Sequence, residues 1–233
     1  LDYLQNKGYN SLLLEYQFPK LNSIYKPSRV IYLNLLLPAF QYKENLELLN
    51  DATDSAKQLN AFFYQLENKT GLESKSMQNK IRARLKSILT WANVYEMIFK
   101  KTDAKFTFGL CYYNNAMYGM NFAAKKLGIQ SFDMQHGLQG PLHPAYFFTN
   151  APFEGYNILP EYFWVWENIS FKNIEKWTKN NFHKPILGGN PWIEFLSGTD
   201  EFLNSGDNSK KIILYTLQPL EPLIPNHILE TIK

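Results

Sequence analysis

Cysteine is nearly missing from this chain: Cys111 is the single one among 233 residues. One cysteine excludes an intrachain disulfide and any metal site built from several thiolates. It also fits a reducing compartment. Long apolar runs are missing too. The longest, Val30 to Phe40, is interrupted by Asn34 and falls short of the roughly 20 residues that span a bilayer. No secretory leader pattern is visible. There is no Walker loop, no GxGxxG between a strand and a helix, and no GxSxG turn. Nothing therefore marks an ATPase, a dinucleotide-binding fold of the usual kind, or a Ser-His-Asp hydrolase. A strong excess of either charge is absent as well, with 24 Lys and Arg against 21 Asp and Glu. The net charge of +3 does not call for nucleic acid, although a local basic patch can meet phosphates or an anionic membrane face.

What is present is the composition of a globular protein, 45% hydrophobic and 19% charged. Its length suits one large domain or one and a half ordinary ones. Aromatic residues reach 16%, which suits a large core and also sugar- or base-stacking surfaces. Residues 11–15 (SLLLE) and 29–38 (RVIYLNLLLP) are continuous apolar runs, the pattern of strands in a parallel sheet covered on both faces. Two long helical patterns follow. From about Glu44 to Glu67 the apolar stripe is Leu48, Ala52, Ala56, Leu59, Phe63 and Leu66, with Gly71 as a stop. From about Ser74 to Lys100 it is Met77, Ile81, Leu85, Ile88, Ala92, Tyr95 and Phe99, at steps of three and four that share one helix face. Lys75, Lys80, Arg82, Arg84 and Lys86 make the front half of that helix basic. It is either a solvated face or a patch for an anionic membrane surface or a phosphorylated acceptor.

Beyond Asp103 the rhythm becomes strand, helix, strand. Residues 105–113 (KFTFGLCYY) read as a strand, Asn114 to Leu127 as a helix closed by Gly128, and Ser131 to Met134 as a second strand ending at Gln135-His136-Gly137. A right-handed βαβ crossover leaves both strand ends on one edge of the sheet. Asn114 and Asn115, where the helix begins, then lie near the level of His136. An asparagine there caps the helix, and the free N–H groups of the first turn can also face a ligand oxygen or phosphate. In open α/β sheets ligands bind outside the carboxyl ends of the strands. An imidazole at such an end titrates near neutral pH and can take a proton from a hydroxyl. The plain alternative is a hydrogen-bonded histidine at a turn. Gly137 leaves room for backbone or substrate and tolerates positive φ. His136, His143 and Asp133 make a poor metal set, because the histidines lie on a loop with two prolines and Asp133 alternates away along its strand.

Further on, residues 162–167 (YFWVWE) read as a strand and Ser170 to Asn180 as a helix with Ser170 as N-cap. Pro185 to Leu187 is a short strand that ends at Gly188-Gly189-Asn190-Pro191-Trp192, a strand-to-helix turn with Pro191 at the first helical position. Residues 197–211 are linker-like, 212–218 (IILYTLQ) read as a strand, and 226–233 as the start of a helix. The chain opens at Leu1 without a methionine and closes inside that helical pattern, as expected of a piece of a longer protein.

From Lys105 onward the order of these motifs resembles the two-domain GT-B glycosyltransferases, especially bacterial enzymes of capsule, O-antigen and related surface-polysaccharide synthesis. The resemblance rests on Gln135-His136-Gly137, His143-Pro144-Ala145-Tyr146, Leu159 to Phe163 with Trp166, His183-Lys184-Pro185 through Trp192, and the strand Lys210 to Gln218. Glu167 departs from it, since a glycine is expected after the tryptophan. Residues 1–100 carry no resemblance. The resemblance implies a Rossmann-like parallel sheet with flanking helices over residues 1–200, a linker at 201–211, and the first β-α unit of a truncated nucleotide-sugar domain at 212–233. It implies His136 as the general base. Asn114, Asn115, Gln135, Gly137, His143, Tyr146 and Gln218 would bind substrate. Donor and acceptor would be a nucleotide sugar and a glycan or lipid-linked hydroxyl, with no cofactor or metal required. The enzyme would be cytoplasmic or peripheral on the inner membrane face, and these 233 residues alone would be inactive. A glycerophosphate-type polymer phosphotransferase, which also places His-Gly at a strand end, and a non-catalytic sugar- or nucleotide-binding module are the alternatives.

Overall fold

The computed structural model describes residues 6–15, 30–40, 54–191 and 193. The chain divides into two compact units, Leu1–Asn190 and Pro191–Lys233, with the boundary inside the Gly-Gly-Asn-Pro turn. The strands and the α-helices between Asp54 and Thr178 all belong to the first unit, and the described residues 191 and 193 of the second are helical. The expected linker at 201–211 and the strand at 212–218, Gln218 included, lie outside the described residues.

The first two strands, β1 (Leu13–Glu15) and β2 (Val30–Tyr32), pair in parallel with each other. The apolar run at 29–38 is therefore only partly a strand. After Tyr32 it coils into two 3₁₀ turns, Leu33–Leu35 and Leu37–Phe40. Pro38 lacks the N–H that a ladder needs, and the chain instead bonds locally, Leu36 N–H to Leu33 O and Ala39 N–H to Leu36 O.

Helix α1 spans Asp54–Thr70 and is stopped by Gly71 at φ +71°; the part of the expected pattern before Asp54 lies outside the described residues. Helix α2 runs Ser74–Thr102 and ends where Asp103 turns left-handed at φ 50°. Its stripe is buried only in the second half, where Trp91, Val94 and Ile98 join Ile88, Ala92, Tyr95 and Phe99. Helix α3 (Asn115–Leu127) packs along that half. Gly119 permits the approach, because a Cβ there would stand 2.5 Å from Trp91 Cβ and 2.8 Å from the Ile88 carbonyl oxygen. Glu96 bridges Lys100 on its own helix (2.6 Å) and Lys126 on α3 (2.8 Å), and the Lys100 hydrogen bond, with Lys126, holds its carboxyl below the usual range.

Four strands, β3 (Phe106–Gly109), β4 (Gln130–Met134), β5 (Tyr162–Val165) and β6 (Lys184–Leu187), form a parallel sheet in sequence order. Helix α3 connects β3 to β4 and α4 (Asn168–Thr178) connects β5 to β6. Both crossovers step in the same direction, so one handedness puts both helices on one face. On that face Thr107, Ser131, Asp133, Phe163 and Val165 are buried, with Met117, Met120, Ala123 and Ala124 of α3 and Ile174 and Trp177 of α4 in the same core. Full burial of side chains such as Phe163 and Val165 stabilises by about 1.5–3 kcal/mol each.

The other face is less covered than continuous hydrophobicity suggests. Phe108, Phe132 and Tyr162, directly opposite one another in register, stack at 4.7 and 4.9 Å across three strands, and Phe108 is 57% exposed. Each such stack adds about 0.5–1.5 kcal/mol beyond its buried area. Among the described residues the architecture is α/β, a parallel sheet flanked by helices, compatible with a Rossmann-like fold. No helix among them is long and apolar enough to cross a membrane.

Candidate functional site

β3 stops at Gly109 because the chain turns sharply at Cys111, a non-glycine residue at φ 56°. The turn brings Cys111 and its two tyrosines to the carboxyl edge of the sheet, beside the end of β4. The β4–β5 connection, residues 135–161, contains no helix. It is nonetheless anchored, with Gln139, Tyr146 and Leu159 buried. Long loops of this kind usually carry function.

His136 is the exposed member of the cluster this creates. Its Nε2 lies 3.1 Å from Cys111 Sγ and 3.4 Å from the Tyr146 hydroxyl. The Tyr146 hydroxyl, on a side chain 1% exposed, donates to Asp133 Oδ2 at 2.9 Å. Asp133, also 1% exposed, accepts the Tyr112 backbone N–H on Oδ1 at 3.2 Å. The rings of Tyr113 and His143 complete the wall, 5.6 Å apart, with His143 4.9 Å from Tyr146. Tyr112 donates its hydroxyl to the Ala145 carbonyl, tying the β3 turn to the loop.

Burial dominates the electrostatics here. It pushes the Asp133 carboxyl up to about 7, against the stabilising donors Tyr146 and Tyr112 N–H. It pushes Tyr113 up to about 12, with help from Cys111. Tyr146 rises as well, first from burial and then from the Asp133 charge. The Gln139 amide stands beside that phenol without reaching hydrogen-bond geometry. His136 is lowered, first by burial and then by His143, while its own backbone carbonyl favours the protonated ring. A neutral imidazole at physiological pH is the form that can accept a proton.

The expected substrate-binding residues divide. His136, His143 and Tyr146 come together, and Gly137 borders them. Gly137 does not adopt a positive φ; what it provides is space, since a Cβ there would meet nothing within 4 Å. Asn114 is used by the fold. It caps α3 by accepting from Met117 N–H at 3.0 Å and donates to the Cys111 carbonyl at 2.9 Å. Asn115 turns to α2, accepting from Arg84 Nε at 3.0 Å and donating to Ser87 Oγ at 3.2 Å. Gln135 braces the loop. It is 5% exposed, accepts the Trp166 N–H at 2.6 Å and donates to the Gly137 carbonyl at 2.9 Å. Its Nε2 also reaches Ser170 Oγ and Glu167 Oε2.

Glu167 itself is explained by the helix that follows. It is the N-cap of α4, extended at φ −144°, and its carboxylate accepts from Ser170 N–H. The conformation demands no glycine, and Ser170 is the capped residue, not the cap. Arg84 leans over the Tyr118 ring at 5.8 Å, while Lys75, Lys80, Arg82 and Lys86 of the basic run are exposed.

Cys111 and Tyr113 escape the sequence reading, and Asp133 enters it only as a poor metal ligand. The signal for Asp133 is a carboxylate between Phe132 and Met134 in a strand read as buried, a position that is costly unless the charge serves a partner. For Cys111 it is position, since the βαβ geometry that brings residue 114 to the edge brings 111 there too. Among the described residues no group of three or more His, Cys, Asp or Glu is disposed to hold a metal. In comparisons with protein-family models, curated proteins and solved structures, nothing matches this chain.

Proposed function

We propose that this chain is the acceptor-binding part of a GT-B-type glycosyltransferase of bacterial surface-polysaccharide synthesis, with His136 as its general base. The observation that carries the reading is His136 itself. It is an exposed imidazole at the carboxyl end of a parallel strand, kept neutral by its surroundings, with open space above Gly137 and a buried carboxyl behind Tyr146. His136 takes the proton of an acceptor hydroxyl as that oxygen forms its bond to the anomeric carbon. The bond from that carbon to the nucleoside diphosphate breaks, and its electron pair leaves with the diphosphate. General-base assistance of this kind contributes about 10²–10⁴-fold in rate. Tyr113 and His143, both half-buried, provide aromatic surface on which a sugar ring can lie. The exposed basic run of α2 offers a contact for an anionic membrane face or a lipid-linked diphosphate, which suits a cytoplasmic enzyme peripheral to the membrane.

The test is product analysis with the full-length polypeptide and a panel of nucleotide sugars and glycan acceptors. Release of nucleoside diphosphate that depends on acceptor and on His136 is the expected result. Release of nucleoside monophosphate from a nucleotide-polyol donor would replace glycosyl transfer with phosphotransfer. Binding without release of either would leave a sugar- or nucleotide-binding module.

A further inference from the structure

We propose that Asp133, acting through the Tyr146 hydroxyl, is a positioning residue for His136 that sets which imidazole nitrogen carries the proton. The inference deepens the reading above and rests on it only for the effect on turnover.

The geometry is a three-member chain from the core to the edge of the sheet. Asp133 Oδ2 meets the Tyr146 hydroxyl at 2.9 Å, and that hydroxyl meets His136 Nε2 at 3.4 Å. A phenol has one proton to give. When Asp133 is ionised the phenol donates to it and turns a lone pair towards His136, so the matching ring state carries its proton on Nε2. When Asp133 is protonated, the carboxyl can donate to the phenol oxygen. The phenol proton then turns to Nε2, and the ring proton moves to Nδ1. Carboxyl charge and imidazole tautomer are thereby coupled.

The other groups facing the ring do not supply this coupling. Cys111 Sγ, 3.1 Å from the same nitrogen, is a weak donor and a weak acceptor and matches either state. Tyr113 stands 6.3 Å away between ring centroids. His143 acts by charge alone, and the backbone carbonyl of His136 favours the protonated ring whatever Asp133 does. Among the described residues only Tyr146 connects the imidazole to a buried carboxyl. Because that carboxyl titrates at about 7, both states are populated near neutrality. In the reaction, Nδ1 takes the proton of the acceptor while Nε2–H leans on Tyr146, and the Asp133 carboxylate offsets the imidazolium charge.

Ring-nitrogen NMR of His136 reads the tautomer without any substrate, since pyrrole-type and pyridine-type nitrogens give separate resonances. In the wild type above pH 8 the expected pyrrole-type nitrogen is Nε2. In Asp133→Asn the amide oxygen must face the Tyr112 N–H, so its NH₂ donates to Tyr146 and the pyrrole-type nitrogen becomes Nδ1. In Tyr146→Phe, which keeps the ring packed, the His136 pKa falls by about half a unit or more and adding Asp133→Asn changes nothing further. The buried His183 serves as the control whose resonances stay fixed. An unchanged His136 tautomer and pKa in both variants, with His183 also unchanged, overturns the proposal. A tautomer switch in a protein that transfers no sugar leaves it standing and removes the glycosyltransferase reading instead.

Discussion

Once Asp133 can no longer titrate, acidification from pH 7 to pH 4 should destabilise the fold that carries the site, and His183 is where the decisive proton goes. His183 is fully buried and clamps the end of the β4–β5 loop to the start of β6. Its Nδ1–H donates to the Pro160 carbonyl at 2.7 Å, and its Nε2 accepts the Tyr156 N–H at 2.8 Å. Both nitrogens of the neutral ring are used, so a proton on Nε2 would point one N–H at another. Gly155, at φ +67°, lies so close that a Cβ there would stand 2.4 Å from Nε2, leaving no space for water to intervene. Burial, aided by Lys125, lowers the histidine from 6.5 to about 4.

A histidine depressed in the folded state stabilises above its unfolded pKa, and the contribution is lost as pH falls from 6.5 towards 4. At about 1.4 kcal/mol per pKa unit the loss is about 3 kcal/mol. Asp133 runs the other way. Its folded pKa is raised from 3.8 to about 7, so its contribution is full below pH 4 and lost as pH rises to 7. By the same arithmetic that loss is about 4 kcal/mol. The two nearly cancel in the wild type, and the effect of His183 has to be unmasked. Urea unfolding of Asp133→Asn between pH 7 and 4 should show stability falling by about 3 kcal/mol more than in Asp133→Asn/His183→Gln, with an unchanged m-value. Parallel curves for the two proteins would refute the reasoning.

Two further outcomes follow from packing. Gly119→Ala places a methyl against the backbone of α2 and should destabilise by about 1–3 kcal/mol, read as a lower unfolding midpoint, while Gly128→Ala, where no neighbour lies within 4 Å, should show strain from its φ of +67° but no loss of contact between the helices. Asn114→Ala removes the α3 cap and should cost about 1 kcal/mol, also by denaturation, because the Met117 N–H loses its acceptor.

Much of the first unit is legible in sequence. Local rules decide its elements: the three-and-four stripe of α2, the Asn114 cap and Gly128 stop of α3, and the strand 130–134 ended by Gln135-His136-Gly137. Non-local packing decides the rest. The run after Tyr32 leaves the strand because Pro38 cannot continue a ladder, which apolarity alone does not reveal. Asn115 is drawn to Arg84, a partner 31 positions earlier in the chain, and Gln135 is drawn to the turn after β5. The site itself was half visible. His136 announced itself by its place at a strand end, whereas Asp133 reaches it only through Tyr146, across a loop whose path no periodicity predicts.

The claim that His136 is the base of a sugar transfer is tested most directly by steady-state kinetics of His136→Ala in the full-length polypeptide. The account predicts a fall in kcat of about 10²–10⁴-fold with donor affinity nearly unchanged. Turnover equal to that of the wild type would contradict it.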